Sequence, residues 1–282
     1  MIWRILLCSD GSPAAVAGPS MLEALGLREE AEVVILGVVE PGQAPEPMER
    51  GLTELQTRLR RAGPAPQVRL RQGHAAEQIL AEAESNPYDL VIVGAQGRRG
   101  LTRFRLGSTA TRLARHLQTS LLACRQVPDA LERILVCTSG EAPALETLRS
   151  SAALAARSGA LITLLHVMSQ VALTWESPSE DLADTAESAM SRQTREGIYL
   201  RQGLHTLSQA GLRKPPVARL RHGLVVDEVI AEIRQGDHQL LMIGAHRPPE
   251  ASAAFAPYLD DIADRLLTHA PCSVLIVRAP GL

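Results

Sequence analysis

Ile5-Leu-Leu-Cys8-Ser-Asp-Gly11 returns in the same chain as Ile134-Leu-Val-Cys137-Thr-Ser-Gly140, and Val33-Val-Ile-Leu-Gly-Val-Val39 returns as Leu161-Ile-Thr-Leu-Leu-His-Val167 or one register away, both at an offset near 129. Two further blocks repeat at an offset of 150: Val68-Arg-Leu-Arg-Gln-Gly73 as Ala218-Arg-Leu-Arg-His-Gly223, and Leu90-Val-Ile-Val-Gly94 as Leu240-Leu-Met-Ile-Gly244. The jump in offset puts an insertion between the second and third blocks of the second copy. Ser120 to Cys124 matches Ser273 to Val277, and Gln126-Val-Pro-Asp-Ala130 joins the copies. A repeat on this scale means that the fold is one unit built twice.

Each block is a short apolar run rich in Val, Ile and Leu, as a strand buried on both faces of a parallel sheet reads. Between the runs, Pro13 to Leu25 and Pro143 to Ala156 start with proline near the first turn and end near Gly26 and Gly159, which is helix punctuation. Ala75 to Glu84 and Val225 to Arg234 carry apolar residues at helical spacing after a glycine. Strand and helix alternate through both copies, so the fold class is α/β: two tandem Rossmann-like domains, each a five-stranded parallel sheet with helices on both faces. The domains are expected at 1–127 and 131–282. Pro41 to Pro47 and the polar Glu176 to Ser191 read as surface loops.

At 282 residues the chain is long enough for two cores. With 45% hydrophobic and 21% charged residues, its composition is that of a globular protein. The longest uncharged stretch, Ser158 to Trp175, is too short and too polar to span a bilayer, and the amino terminus reaches Asp10 before a signal-peptide core can form. A cytoplasmic protein with no membrane partner is expected. The 29 basic and 31 acidic residues nearly balance, which gives no nucleic-acid footprint. Lys214 is the only lysine, so a Walker A loop and Schiff-base chemistry at a second lysine are excluded. Cys8, Cys124, Cys137 and Cys272 form no CxxC pair and read as buried thiols, with no metal site.

After the run Leu90 to Val93 comes Gly94-Ala-Gln-Gly97-Arg-Arg-Gly100-Leu-Thr-Arg-Phe-Arg-Leu-Gly107-Ser108-Thr109, which opens a helical segment. Glycines admit an anion close to backbone N–H groups, and a helix amino terminus adds free N–H groups with partial positive charge, so this is the chemistry of a phosphate cradle. The same residues also fit a strand end, a turn and a helix cap, and by themselves they do not decide. Asp10 ends the first strand as Gly94 ends the fourth, and in open parallel sheets ligands bind at such carboxyl ends.

This combination resembles the universal stress protein family, whose ATP-binding members carry G-x-x-G, nine residues, then G-[S/T], with an Asp closing the first strand. The resemblance covers both halves. It implies that Asp10 faces the ribose and adenine and that the Val38 backbone bonds the adenine edge. Gly94, Gly97, Gly107 and Ser108 would hold phosphates, with Thr109 adjacent. The implied cofactor is ATP, with or without Mg, or AMP or ADP. The implied role is nucleotide binding in a stress response, with slow ATP hydrolysis or a nucleotide-free interaction protein as rivals. No catalytic residue is assigned. Arg98, Arg99, Arg103 and Arg105 fall in the intervening loop, where solvated surface arginines are the simpler reading for most.

The second half departs from the pattern. Ser139 stands for Asp10, Arg247 stands for Gly97, and Phe255 to Ile262 offers no Gly, Ser or Thr. One nucleotide per chain is therefore expected. His74 and His222, and His116 and His269, look like repeat-equivalent pairs. The resemblance also implies that the two copies pack against each other about a pseudo-two-fold axis, as single-domain members pair in dimers; the fifth strands are expected to meet, because pairing covers two apolar edges. A homo-oligomer of the tandem chain stays open.

Overall fold

The computed structural model describes residues 3–12, 17–61, 63–95, 107–125, 128, 130–138, 144–168, 185–245 and 261–278. The first half supplies strands β1 (Trp3–Ser9), β2 (Ala31–Val39), β3 (Gln67–Gln72), β4 (Leu90–Gly94) and β5 (Ser120–Cys124). Its helices are α1 (Ala17–Ala24), α2 (Glu46–Arg60), α3 (Ala75–Ser85) and α4 (Ser108–His116). The second half repeats the plan with β6 (Arg133–Cys137), α5 (Ala144–Ser158), β7 (Leu161–Met168), α6 (Ala186–Arg192), α7 (Arg195–Ser208), β8 (Val217–His222), α8 (Val225–Gln235), β9 (Leu240–Gly244), α9 (Asp261–His269) and β10 (Ser273–Val277).

All ten strands form one sheet in the order β3-β2-β1-β4-β5-β10-β9-β6-β7-β8. Within each half every pair is parallel; β5 and β10 are antiparallel, with Leu122 opposite Leu275. The expected meeting of the fifth strands is thus present. Pairing them leaves only β3 and β8 as sheet edges, which removes two apolar edges that would otherwise invite association. One apolar layer packs α1, α2, α5 and α7 on one face of the sheet, with Ala186 of α6 joining it. The other layer packs α3, α4, α8 and α9 on the opposite face.

Reciprocal bonds lock the join. Arg125 N–H donates to Ser273 Oγ and Arg278 N–H to Ser120 Oγ, both at 3.1 Å. The Arg125 guanidinium donates to the carbonyls of Leu267 and Thr268 near the end of α9, at 2.8 Å each, while Arg278 donates to Ala114 and Thr119 around the end of α4. Each half thereby supplies a cation to the carbonyl-rich end of the other half's helix, where the helix dipole favours it. Arg115 and Asp264 (3.0 Å) and Arg157 and Glu30 (2.8 Å) add ion pairs across the same boundary.

Two sequence expectations need correction. Helix α2 starts at Glu46, inside the segment read as a loop, because Pro47 lies in the first turn, where its missing N–H costs nothing. Similarly, Thr185 accepts a hydrogen bond from Ser188 N–H and opens α6 within the segment assigned as a polar loop. This helix lies in the insertion and contacts β8. On β8, Ala218 is 5% exposed, whereas its counterpart on β3, Val68, is 39% exposed.

Candidate functional site

The strand order reverses direction at β1, where β2 and β3 lie to one side and β4 and β5 to the other. Such a switch point opens a crevice at the carboxyl ends, because the chain leaves neighbouring strands in opposite directions. Hydrogen-bond register fixes its depth. The β1–β4 ladder stops at Leu7 opposite Ile92, so Cys8-Ser9 and Val93-Gly94 run on without pairing to each other. The β1–β2 ladder stops at Ser9 opposite Gly37, and Val38, one residue further, continues to pair with Arg71 of β3.

Asp10 follows β1 at this opening and is half-buried. Its Oδ1 accepts Ser12 N–H at 3.0 Å, and Ser9 Oγ accepts Gly11 N–H at 3.1 Å, so two side chains fold the loop back on itself. Gly11 sits at φ +69°, a left-handed conformation that favours glycine. Helix α2 presses on this loop: a Cβ at Gly51 would lie 2.6 Å from Gly11 O. Gly51 therefore positions the loop that carries Asp10, a role that sequence reading missed. A glycine inside a helix otherwise built from good formers was the available signal.

Gly94 is exposed at the end of β4. Ala95 N–H donates to Cys124 O at 2.7 Å, and Gly107 N–H donates to Ala95 O at 2.8 Å. These bonds bring the two ends of the 96–106 segment together and set the start of α4 beside the crevice. Gly97 and the four loop arginines lie outside the described residues. Gly107 is the N-cap of α4 and has no side chain with which to cap it; Ser108 and Thr109 are the first helical residues. In a helix those first N–H groups have no intrahelical acceptor and face outward. The structure thus brings Asp10, Val38, Gly94, Gly107, Ser108 and Thr109 to one end of the sheet. A carboxylate stands on one side, and on the other a helix terminus that its N-cap residue, Gly107, does not cap with a side chain.

The second half opens in the same way. The β6–β9 ladder ends at Val136 opposite Met242, and Ala245 N–H donates to Val277 O at 3.0 Å as Ala95 does to Cys124. The furniture differs. Aligned on the histidine that ends each helix, His116 in α4 and His269 in α9, Asp261 stands for Ser108 and Ile262 for Thr109; the residues just before Asp261 lie outside the described residues. A carboxylate at a helix amino terminus satisfies the helix dipole itself and repels a phosphate. His166 stands where Gly37 stands, and its Nδ1 lies 3.0 Å from Thr138 O at the end of β6. Ser139 and Arg247 lie outside the described residues.

His116 and His269 are equivalent, as read from sequence. His74 and His222 are not: His222 ends β8 before Gly223, whereas His74 follows Gly73 as the N-cap of α3, matching Leu224. A second feature missed from sequence is duplicated. Glu82, fully buried, takes ion pairs from Arg69 and Arg71 of β3 and a 2.9 Å bond from Tyr88 Oη. Glu232 takes Arg221 and Arg219 of β8 at the same repeat positions. Burial raises the Glu82 carboxyl, but the Tyr88 bond and the two arginines outweigh it and hold the pKa below the usual range. Burial and Glu82 push the Tyr88 hydroxyl up to about 12.

Burial also pushes the thiols of Cys124 and Cys272 up to about 12, so neither is a ready nucleophile. Cys8 and Cys137 are only half-buried by area, less enclosed than their apolar runs suggest, yet desolvation raises both thiols strongly as well. Among the described residues no group of three or more His, Cys, Asp or Glu is placed to hold a metal, and no helix is long and apolar enough to cross a membrane.

Comparison with known proteins agrees with this geometry. A universal stress protein of Synechocystis sp. is 30% identical over 130 residues, which covers 44% of this chain and 43% of that protein, so the chain spans less than half of that curated relative's length. A universal stress protein from Archaeoglobus fulgidus DSM 4304 superposes with a TM-score of 0.69 at 15% identity, covering 98% of both chains. The cytoplasmic domain of a prokaryotic cation chloride cotransporter shares the fold more loosely, at a TM-score of 0.55 and 11% identity over 98% of this chain and 95% of that one. The model of the universal stress protein family matches residues 1–125 and again 130–278. Nearly the whole chain is accounted for twice over by one family unit, and the chain belongs to the universal stress protein family.

Proposed function

We propose that the first half binds one adenine nucleotide, ATP or its relatives AMP and ADP, at the carboxyl ends of β1 and β4, and that the bound state is read out in a stress response. The observation that supports this reading is the amino terminus of α4, which Gly107 leaves without a side-chain cap and which the Gly107–Ala95–Cys124 bonds tie to the carboxyl ends of β4 and β5, next to β1 and Asp10 in the strand order. Asp10 would accept hydrogen bonds from the ribose hydroxyls. The Val38 backbone would meet the adenine edge just past the β1–β2 ladder. Gly94, Gly97, Gly107 and Ser108 would give phosphate a surface of N–H and hydroxyl donors, with Thr109 beside them. Mg, if bound, would sit on the phosphates and neutralise their charge.

In this reading the units are 1–127 and 131–282, and the second serves as a partner for packing and regulation within a cytoplasmic chain. Small molecules released by denaturing protein purified from cells, identified by mass spectrometry, test the assignment. Stoichiometric adenine nucleotide is expected. Protein that emerges empty and stays empty under millimolar ATP would overturn it.

A further inference from the structure

The grooves between α3 and α4 and between α8 and α9 are repeat-equivalent, and they are lined differently. In the first half, Glu77 of α3 and Arg112 of α4 form an ion pair across the groove at 3.3 Å. Their counterparts are Asp227 and Arg265. Asp227 is one methylene shorter, and among the described residues neither it nor Arg265 takes part in an ion pair. The α8–α9 groove holds a cavity of about 570 Å³ lined by Val226, Asp227, Ile230, Ala231, Arg234, Arg265 and His269; a cavity of about 530 Å³ lies on the first half between α3 and α4, where Glu84 takes the place of Arg234.

The apolar lining continues out to the surface. Leu224, at the N-cap of α8, is 73% exposed, and Ile262, one turn before Arg265, is 42% exposed. Their first-half counterparts are His74 and Thr109. Leu224, Asp227 and Arg234 fall on one side of α8, and Ile262, Arg265 and His269 on one side of α9, by helical spacing. The groove is therefore apolar at one end and carries two arginines against the one carboxylate of Asp227 further along, where the first half carries Glu84 and the Glu77–Arg112 bridge. Exposed large apolar residues leave apolar area in water, and Arg234 and Arg265 outnumber the one lining carboxylate, Asp227; both costs fall if an acidic, partly apolar occupant covers them.

We propose that the α8–α9 groove docks an acidic amphipathic segment of a partner protein, its apolar residues on Leu224 and Ile262 and its carboxylates on Arg234 and Arg265. Charge complementarity selects the sign of the occupant. Helix α8, with 11 residues at about 1.5 Å rise each, sets a length of three to four turns. This docking is independent of the nucleotide site: it uses the face of the second half opposite α5 and α7.

Binding of a fluorescein-labelled 12-residue peptide, with Leu at helical spacing and Glu between, to the full chain tests the proposal, read by fluorescence anisotropy at two salt concentrations. Saturable binding that weakens with salt is expected, with the analogue carrying Lys for Glu at least tenfold weaker. Arg265→Glu should weaken the acidic peptide at least tenfold, and Leu224→Ser severalfold. Asp227→Glu should weaken it too, by rebuilding the bridge that Glu77 makes with Arg112. All three positions are exposed, and an unchanged melting temperature checks the fold. Equal binding of both peptides, indifference to Arg265→Glu, no binding at millimolar peptide, or tighter binding to phosphatidylglycerol vesicles than to the peptide would each overturn it.

Discussion

β1 parts from β4 after Leu7 and Ile92, and β6 parts from β9 after Val136 and Met242, so one backbone crevice is built twice in a single sheet. At the first, the helix that follows opens on Gly107, Ser108 and Thr109; at the second, Asp261 and Ile262 stand in place of Ser108 and Thr109. Strand register and the tie from the fourth strand to the fifth survive in both halves, while the groups that would touch a phosphate survive in one. The scaffold rests on buried apolar pairing, which any Val, Ile or Leu satisfies. The proposed site would rest on N–H groups at one helix end, which a single carboxylate there is enough to oppose. Duplicated folds can therefore lose a ligand without losing a strand.

The comparison breaks most visibly at Gly107. Gly107→Val should lower ATP affinity roughly 100-fold, about 2.7 kcal/mol, with the melting temperature almost unchanged, whereas Ile262→Ser on the equivalent helix should leave affinity as it is. Equilibrium titration of both variants with ATP checks this. Equal affinity for Gly107→Val and the parent would remove the phosphate assignment.

The buried carboxylates give the next effect. Glu82→Gln should cost roughly 2 kcal/mol, below the 3–5 expected of a wholly buried pair because Arg69 and Arg71 keep about a third of their side chains in water. Because the folded-state pKa of Glu82 is lowered, its contribution is complete above the unfolded carboxyl range. It is lost as pH falls from about 4.3 through the folded value. Urea unfolding at pH 7 and at pH 3 should show a smaller pH difference for Glu82→Gln than for the parent; an unchanged slope would mean that Glu82 does not ionise as described.

Gly51 offers a change of sign. In an exposed helix interior Gly→Ala stabilises by about 1 kcal/mol, but here the new Cβ would meet Gly11 O at 2.6 Å. Gly51→Ala should therefore destabilise by about 1 kcal/mol and weaken nucleotide binding with it, read from thermal melts with and without ATP. Smallest of all is the join between halves at Asp264. Its pair with Arg115 is partly exposed, so Asp264→Ala should cost about 0.5 kcal/mol and leave the β5–β10 pairing intact. A larger loss in urea unfolding would mark this pair as a principal tie between the halves.

Much of this was legible in the sequence because parallel strands buried on both faces leave uninterrupted apolar runs, and a repeat reads each run twice. Pairing of the fifth strands followed from the need to cover two apolar edges. Helix α6 was not legible: its buried face is Ala186 and Ala189, too small to write a helical period among Ser, Asp and Glu. The mispairing of His74 with His222 came from matching residue type near a glycine, when strand register places them on opposite sides of it. The buried glutamates were readable in principle, since Arg-Leu-Arg and a Glu recur together at the offset of 150. A charged triplet on an edge strand, however, looks like solvated surface until a helix is laid over it. Among the residues of the proposed site, Asp10 and Gly107 can be named from residue type and spacing, whereas Gly51 beside them cannot, because its role is a clearance and not a contact.

Calorimetric titration of the full chain with ATP, repeated on Gly107→Val and on a chain carrying His166→Gly, Asp261→Ser and Ile262→Thr together, tests the loss of one site most directly. One nucleotide per chain for the parent, none for Gly107→Val within the accessible concentration range, and no change in the first site's affinity for the triple variant are predicted. Two equal sites in the parent, or a site that persists in Gly107→Val and responds to the second-half substitutions, would contradict the account.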